Sequence, residues 1–312
     1  MFLARGLRQL PAHLNGCVAT IGNFDGVHVG HQAVIESLAA QGRRLGLPTL
    51  IILFEPQPRE YFDPEHAPSR LSRFREKLTR LRQLPVDGVL ALHFDRKLAD
   101  SPPESFIQTV LVEGLRVKYL VVGDDFRFGK NRRGSFAMLQ QMGRAGGFEV
   151  ADTGSVQEGG ARVSSTLIRL ALAAGNMDEA ARYLGRPYSI MGRVCQGAKL
   201  GRQLGFPTAN IALMRKKTPL QGVFAVTMEG IGGRLLYGVA NVGLRPTVDG
   251  RRSMQLEAHL FDFDGDIYGH LVEVHFHHKL REERRFPSLD ALREQIDRDA
   301  KQARAYFANR FC

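Results

Sequence analysis

Two histidines, His28 and His31, stand three residues apart in the segment GNFDGVHVGH, residues 22–31. A short run of β-forming residues precedes the segment and an amphipathic stretch follows it, so the pair is expected between a strand and a helix. A helix N-terminus presents free backbone N–H groups and the positive end of its dipole, which suit phosphate. Imidazoles there can donate hydrogen bonds to phosphate oxygens, and Gly30 lets the backbone approach closely. Zinc is the competing use of two histidines, but no third ligand is evident nearby.

A hydroxyl-rich segment, VSSTLIR at residues 163–169, is a second candidate for phosphate binding. Hydroxyls at a predicted helix start, with the Arg169 guanidinium, can hold phosphate oxygens; alone, the segment indicates only a capped helix. In this order the two segments resemble the HxGH and ISSTxIR signatures of the nucleotidyltransferase superfamily, and the first resembles its FMN adenylyltransferase branch. The resemblance implies catalytic roles for His28 and His31. It also implies an ATP site formed by Gly22, Asn23, Phe24, His28, His31, Ser164, Ser165, Thr166 and Arg169.

Between these segments lies GDDFRFG, residues 123–129. It resembles the string that the same family associates with the flavin side of its site. The residues implied are Asp125, Phe126, Arg127 and Phe128. Each phenylalanine is about as easily explained by the hydrophobic core as by contact with a flavin.

The second half of the chain carries the string GFPTAN, residues 205–210, which resembles the signature of riboflavin kinases. The preceding GAKLGR, residues 197–202, resembles their glycine-rich flap over ATP. The resemblance implies ATP binding by Gly201, Gly205, Pro207, Thr208 and Asn210. It also places Mg²⁺ at Thr208 and Asn210, and oxygen ligands of this kind suit that ion.

Glu257 is the candidate catalytic base of this half. In the pattern QLEAHL, residues 255–260, Leu256, Ala258 and Leu260 share one face of a predicted strand, so Glu257 points the other way. A carboxylate can take the proton from an attacking hydroxyl. A solvent-facing glutamate would look the same, and the family resemblance favours the catalytic role.

Strand and helix patterns alternate in the first half, with strands predicted at 18–21, 49–54, 89–93 and 119–122. Strand, helix and strand at this spacing form parallel βαβ units, so this half is predicted to be a doubly wound, Rossmann-like α/β domain. Helices are predicted at 32–45, 71–84, 104–115, 165–174 and 177–184. Beyond Gly185-Arg186-Pro187, short strands indicate a small antiparallel barrel or sandwich closed by a helix at 288–307, with Ser288 as its cap. The predicted domains are 1–184 and 185–312.

Composition limits the function classes. The 312 residues carry a net charge of +11, which attracts anions, either nucleotides or nucleic acid. The longest clean apolar run, residues 50–54, is far short of a membrane span, and the N-terminus does not resemble a signal peptide. Three scattered cysteines suit a reducing cytoplasm.

Four motifs in order resemble the prokaryotic bifunctional riboflavin kinase and FMN adenylyltransferase (FAD synthetase) family. The resemblance implies that riboflavin and ATP give FMN, and that FMN and a second ATP give FAD and pyrophosphate, with no nucleic-acid or membrane partner. Two alternatives stay open. One is a chain active only as a kinase, against which the intact first two motifs argue. The other is a nucleic-acid-binding protein, which the charge allows but no recognisable module supports.

Overall fold

A computed structural model describes residues 1–154, 157–158, 161–196, 205–215, 217–246 and 252–311. The chain forms two compact units. The first contains residues 1–68 and 77–163, and the second contains residues 69–76 and 164–312.

A six-stranded parallel sheet forms the centre of the first unit. Its strands are β1 Phe2–Ala4, β2 Cys17–Ile21, β3 Thr49–Glu55, β4 Gly88–His93, β5 Val117–Val122 and β6 Glu149–Asp152. Their order in space is β1-β4-β3-β2-β5-β6, and every neighbouring pair is parallel. The chain therefore reverses direction across the sheet beside β2, where the carboxyl ends of β2 and β5 create a crevice suited to a ligand. The predicted doubly wound α/β fold is confirmed.

Helices cover both faces of this sheet. They are α1 Val29–Leu45, α2 Pro58–Phe62, α3 Phe74–Leu81, α4 Arg96–Ala99, α5 Pro103–Phe106 with its π-helical continuation Ile107–Gly114, and α6 Phe136–Gly146. The boundary between the units runs through α3, after Glu76. Alternate residues of β2 pack into two apolar clusters, Ala19 into one and Val18, with Leu38 of α1, into the other. Burial on both faces explains why the strands are continuous apolar runs. A two-stranded hairpin follows, β7 Gln157–Glu158 and β8 Ala161–Arg162.

A closed antiparallel barrel forms the second unit. Its strands are β9 Tyr188–Cys195, β10 Thr208–Ala212, β11 Gly222–Ile231, β12 Arg234–Pro246, β13 Arg252–Leu260 and β14 Leu271–Arg281. They close in the order β10-β13-β12-β11-β14-β9. Fully buried side chains such as Phe224, Val274 and Phe276 fill the interior. The sequence was compatible with either a barrel or a sandwich, and the structure shows a closed barrel.

Among the residues described in this unit, three helices accompany the barrel: α7 Ser165–Ala174, α8 Met177–Leu184 and α9 Leu289–Phe311. The Ser288 hydroxyl accepts the Ala291 N–H at 3.2 Å, so the predicted cap of the last helix is present. Ala303 and Phe307 of α9 pack on Ala225 and Phe261 of the barrel unit. The predicted closing helix is therefore confirmed, although it extends four residues beyond residue 307.

Five of the described strands were not predicted from the sequence: β1, β6, β10 and the two-residue strands β7 and β8. β1 precedes the segment where the first strand was expected, and it is only three residues long. β6 is a four-residue edge strand. β10 begins at Thr208, so the string GFPTAN ends inside a barrel strand.

Candidate functional site

The start of α1 fixes the two histidines. His28 is the N-cap, and its Nδ1 accepts the backbone N–H of His31 at 3.4 Å. A neutral imidazole that accepts at Nδ1 carries its proton on Nε2. His28 is therefore a hydrogen-bond donor at the helix N-terminus, where an anion is favoured.

The imidazoles of His28 and His31 stack on each other, with ring centroids 3.6 Å apart and planes inclined by 19°. The Phe24 ring also contacts the His31 imidazole, with ring centroids 4.7 Å apart. A Cβ on Gly30 would lie 3.2 Å from Nδ1 of His28, which is tighter than ordinary contact. Glycine at position 30 therefore makes room for the His28 ring, a more specific reason than the general backbone freedom expected from the sequence.

His31 is held in its neutral form. Burial lowers the pKa of His31 well below its usual value, and the neighbouring His28 and Lys77 lower it further. Its Nδ1 is inaccessible to solvent and has no hydrogen-bond partner among the residues described. A neutral His31 can donate one hydrogen bond to a phosphate oxygen without carrying a permanent charge.

Lys77 is a functional candidate that the sequence did not indicate. Its side chain is only 1% exposed, and its Nζ donates a hydrogen bond to the carbonyl oxygen of Asn23, at 2.5 Å. A buried ammonium group is costly unless it is paired. Lys77 thus links α3 to the segment that leads into the two histidines.

The same segment has a constrained backbone. Phe24 and Val27 both adopt a φ of 45°, in the left-handed region. For a β-branched residue such as Val27 this conformation is a genuine outlier. Conformations of this kind persist where the surrounding structure enforces them, and they concentrate at functional sites.

A cavity of about 720 Å³ opens beside this segment in the first unit. It brings Gly22 and Asn23 together with all four residues of the predicted flavin side, Asp125 to Phe128. The remaining lining residues were not predicted, and they include Phe54, Arg59, Phe62, Phe94, Phe106 and Arg132.

Aromatic rings form a connected series along this cavity. Phe54 contacts Phe94 and Phe106, with centroid distances of 5.8 and 6.2 Å. Phe106 contacts Phe128 at 5.6 Å, and Phe128 stacks on Phe126 at 5.4 Å. Phe128 belongs to the core and also lines the cavity, so the core explanation is confirmed and contact with a flavin stays a prediction. A flat aromatic ligand fits such a surface.

The hydroxyl-rich segment begins in the first unit and continues in the second. The carbonyl oxygen of Val163 lies 3.7 Å from the position of a Cβ on Gly30. Ser164 is the N-cap of α7, and its Oγ accepts the Leu167 N–H at 3.3 Å. The Nε of Arg169 donates to the carbonyl oxygen of Ser69, at 2.7 Å. Ser165 and Thr166 occupy the first turn of α7, and Thr166 is exposed.

In the barrel, Glu257 lies beside Asn210. The two are paired across β10 and β13, and Thr208 is paired with His259 in the same register. Leu256, Ala258 and Leu260 are buried in the barrel interior while Glu257 is half-buried, so Glu257 projects from the outer face, as the alternation predicts.

The GFPTAN string turns into β10 with a defined geometry. Gly205 has a φ of +84°, which favours glycine, and the carbonyl oxygen of Pro207 contacts Nδ1 of His259 at 2.9 Å. Pro207 and Thr208 line a second cavity of about 330 Å³, between the start of β10 and the segment 263–268. The predicted flap, residues 197–202 with Gly201, lies outside the described residues.

No group of three or more His, Cys, Asp or Glu side chains suited to a metal ion occurs in the described parts of the chain. Likewise, within those parts, every helix is too short or too polar to cross a bilayer.

Comparisons with known proteins find a match for each half of the chain. The family model of FAD synthetase matches residues 10–167, and that of riboflavin kinase matches residues 184–307. The bifunctional riboflavin kinase/FMN adenylyltransferase of Escherichia coli K12 is 50% identical over 308 residues, covering 98% of each chain. The Haemophilus influenzae protein of the same description is 49% identical, covering 98% of this chain and 99% of its own.

One similar solved structure has a different description. The crystal structure of a protein described as a macrolide-efflux protein, from Streptococcus pneumoniae, has a TM-score of 0.82 and 28% identity. It covers 97% of this chain and 98% of its own. That description applies to the other protein, and the likeness supports the fold.

Full-length relatives at half identity and two family models in the same order lead to one conclusion: the chain belongs to the bifunctional riboflavin kinase/FMN adenylyltransferase family, with an N-terminal FAD synthetase domain that converts FMN and ATP to FAD and a C-terminal domain that phosphorylates riboflavin with ATP.

Proposed function

We propose that adenylyl transfer takes place at the N-terminus of α1. An oxygen of the FMN phosphate attacks the α-phosphorus of ATP, a new P–O bond forms, and the bond to pyrophosphate breaks. His28 and His31 donate hydrogen bonds to phosphate oxygens and stabilise the charge that develops on them. The stacked pair at a helix N-terminus, with His28 protonated on Nε2, is the observation that carries this proposal.

The remaining ATP contacts in this domain are assigned to Gly22, Asn23 and Phe24 and to the α7 motif. The support for Ser164, Ser165, Thr166 and Arg169 is their place in the family motif. Arg169 donates its Nε–H to the carbonyl oxygen of Ser69. The flavin ring is assigned to the aromatic cavity, with Asp125, Phe126, Arg127 and Phe128 among its contacts, because a cavity of 720 Å³ with stacked phenylalanines suits a flat ring system.

For the kinase, we propose Glu257 as the general base. Its carboxylate accepts the proton of the riboflavin 5′-hydroxyl as that oxygen attacks the γ-phosphorus of ATP and ADP leaves. Gly201, Gly205, Pro207, Thr208 and Asn210 are assigned to ATP. The carrying observation is the register that sets Glu257 directly beside Asn210 on the outer face of the barrel.

Mg²⁺ is the metal we infer at the kinase site. The Thr208 hydroxyl and the Asn210 amide oxygen are hard ligands from the same face of β10, separated by one residue. Two such protein ligands suit an ion that keeps water and binds mainly through substrate phosphates. When bound, the ion neutralises phosphate charge.

We also infer the division of labour along the chain. Residues 1–184 are proposed as the adenylyltransferase domain and residues 185–312 as the kinase domain. The family matches support a change near residue 184, although helices α7 and α8 belong to the compact unit of the barrel. We attribute the net charge of +11 to the binding of nucleotide phosphates rather than of nucleic acid. We place both reactions in the cytoplasm, where ATP is supplied.

Two variants test these assignments. Glu257→Gln is expected to abolish FMN formation from riboflavin while conversion of supplied FMN to FAD continues. His28→Ala is expected to do the reverse. Flavins separated by chromatography during incubation with ATP and Mg²⁺ report both steps. Retained kinase activity in Glu257→Gln would remove Glu257 as the base, and full adenylyl transfer in His28→Ala would remove His28 from the first site.

A further inference from the structure

Three polar side chains stand in a row across neighbouring strands of the barrel. Glu257 on β13 is paired with Asn210 on β10 at one side and with Asn241 on β12 at the other. Directly opposed residues in antiparallel strands have Cβ atoms about 5 Å apart. The flanking residues of Asn241, Ala240 and Val242, are fully buried, so Asn241 projects outward on the same face as Glu257.

The amide of Asn241 has a fixed orientation. Its Nδ2 donates to Oε1 of Glu283 at 3.2 Å. An ionised carboxylate only accepts hydrogen bonds, so the amide nitrogen must face Glu283 and Oδ1 must face elsewhere. That Oδ1 atom is shielded from solvent and accepts no hydrogen bond from any of the described residues.

Gly243 allows this arrangement. It lies two residues beyond Asn241 on β12, hence on the same face, and a Cβ there would overlap the Glu283 carboxylate. Glycine in a strand often marks such a close approach of another group. The Glu283 carboxylate therefore lies over β12, beside Asn241.

This end of the row offers hydrogen-bond acceptors. They are the Asn241 Oδ1 and the Glu283 carboxylate. An ionised phosphate offers no donor, whereas a chain of neutral hydroxyl groups supplies the donor that the Asn241 Oδ1 needs. Among the substrates, the ribityl chain of riboflavin is such a polyol, and its terminal hydroxyl is the one phosphorylated.

We propose that Asn241, held in place by Glu283, binds an internal hydroxyl of the ribityl chain and thereby orients the 5′-hydroxyl toward Glu257. The proposal rests on the proposed role of Glu257 as the base. In it the internal hydroxyl donates to Oδ1 of Asn241, and Glu283 holds the amide in place. Glu283 is thus a positioning residue, whereas Asn241 contacts the substrate.

A substrate analogue separates this role from a structural one. The 7,8-dimethyl flavin with a 5-hydroxypentyl chain at N10 keeps the ring and the terminal hydroxyl but lacks the internal hydroxyls. A site built to bind a hydroxyl discriminates against a ligand without it, because its own polar group stays unpaired. The wild-type enzyme should therefore bind riboflavin more tightly than this analogue. Loss of Asn241 should reduce the difference between the two affinities.

The variants are Asn241→Ala and Gly243→Ala, with Glu282→Gln as the matched control. Glu282 adjoins Glu283 in sequence, is exposed and pairs with Lys279 at 2.7 Å. For each full-length variant, FMN formation gives kcat/KM for riboflavin and KM for ATP, and competitive inhibition gives Ki for the analogue. Asn241→Ala should lower kcat/KM for riboflavin about tenfold or more while Ki for the analogue and KM for ATP change less than twofold.

Gly243→Ala should act in the same direction by displacing Glu283, since the end of a flexible side chain can move without disturbing the strand. Glu282→Gln should match the wild type, and thermal unfolding checks that each variant is folded. An unchanged kcat/KM for riboflavin in Asn241→Ala, or an equal rise in Ki for the analogue, would overturn the proposal. Kinase activity retained in Glu257→Gln would contradict the base alone, since discrimination between riboflavin and the analogue is measured independently.

Discussion

Lys77 carries a buried positive charge into the environment of His31. Its ammonium group donates to the Asn23 carbonyl and is one cause of the low pKa of His31. The histidine is therefore neutral in the free protein at neutral pH, and its protonation is displaced to well below pH 6.5. In the proposed role, His31 therefore donates a hydrogen bond from a neutral imidazole rather than acting as a cation.

Replacing this lysine should change both geometry and titration. Lys77→Met removes the cation and the donor to Asn23, so the pKa of His31 should rise and adenylyl transfer should fall about tenfold, while riboflavin phosphorylation stays within twofold. NMR titration of labelled histidines and the two activity assays measure these effects. Lys97→Met, at an exposed position on α4, is the control. An unchanged His31 titration with full activity would contradict the role of Lys77.

Among the helices and strands, the first turn of α1 is where the proposed site requires a residue that disfavours the helix. Gly30 is inside the helix, where alanine is favoured by about 1 kcal/mol. A Cβ at this position would press on the His28 ring at 3.2 Å. Gly30→Ala is therefore expected to leave stability unchanged within about 1 kcal/mol yet reduce adenylyl transfer by tenfold or more.

Thermal unfolding and FAD formation from supplied FMN test this separation. Gly46→Ala offers a contrast at the other end of α1, since Gly46 has a left-handed φ of +65° and open space around it. That variant should lose stability by about 1 kcal/mol while keeping activity. Equal activity losses in both variants would show that the whole helix, rather than the His28 ring, is affected.

A buried ion pair ties the segment 69–76 to the barrel within the second unit. Arg215 donates to both carboxylate oxygens of Glu76, at 2.7 and 2.8 Å, and Glu76 also accepts the backbone N–H of Met191 at 2.9 Å. Removing one partner of a buried pair leaves an uncompensated charge, which costs about 3–5 kcal/mol.

Arg215→Met should accordingly lower the urea midpoint for loss of kinase activity by about 1 M or more. The control is Lys301→Met, which removes a pair with Asp297 in which both side chains are exposed. Exposed pairs contribute only about 0–1 kcal/mol, so that midpoint should hardly move. Similar shifts in both variants would contradict a special role for the buried pair.

How far the sequence predicts these elements depends on whether their signals are local. The helices at 165–174 and 177–184 were predicted at both ends, because Asn176 and the glycines at 175 and 185 mark their limits. β1 was missed because three residues show no local strand pattern, and the segment is defined as a strand only by its pairing with β4.

The same distinction between local and long-range signals applies to the two proposed sites. The spacing of His28 and His31 identified them as candidates, but Phe54, Phe94 and Phe106 come from three separate segments and meet only after the sheet forms. Lys77 appears in the sequence as one charge of an amphipathic helix, and nothing there indicates its burial. The alignment of Asn210, Glu257 and Asn241 likewise depends on strand register, which a single sequence does not reveal.

For the chain as a functional unit, the two halves of its chemistry are linked by a diffusible product. FMN leaves the kinase reaction as a complete molecule and enters adenylyl transfer as a substrate. If each proposed base or donor serves only its own reaction, a damaged kinase and a damaged adenylyltransferase should compensate for each other in a mixture. An equimolar mixture of Glu257→Gln and His28→Ala is therefore expected to convert riboflavin to FAD, although neither variant does so alone.

The time course of that mixture carries further information. Because FMN must pass through solution between molecules, FAD should appear after a lag that shortens as total protein concentration rises, whereas a wild-type chain that transfers FMN internally would show a lag independent of concentration. Chromatographic separation of riboflavin, FMN and FAD at several concentrations measures both lags. Failure of the mixture to form FAD, with each variant still performing its remaining single step, would mean that released FMN is not accepted by a second molecule and that the two reactions are coupled within one chain.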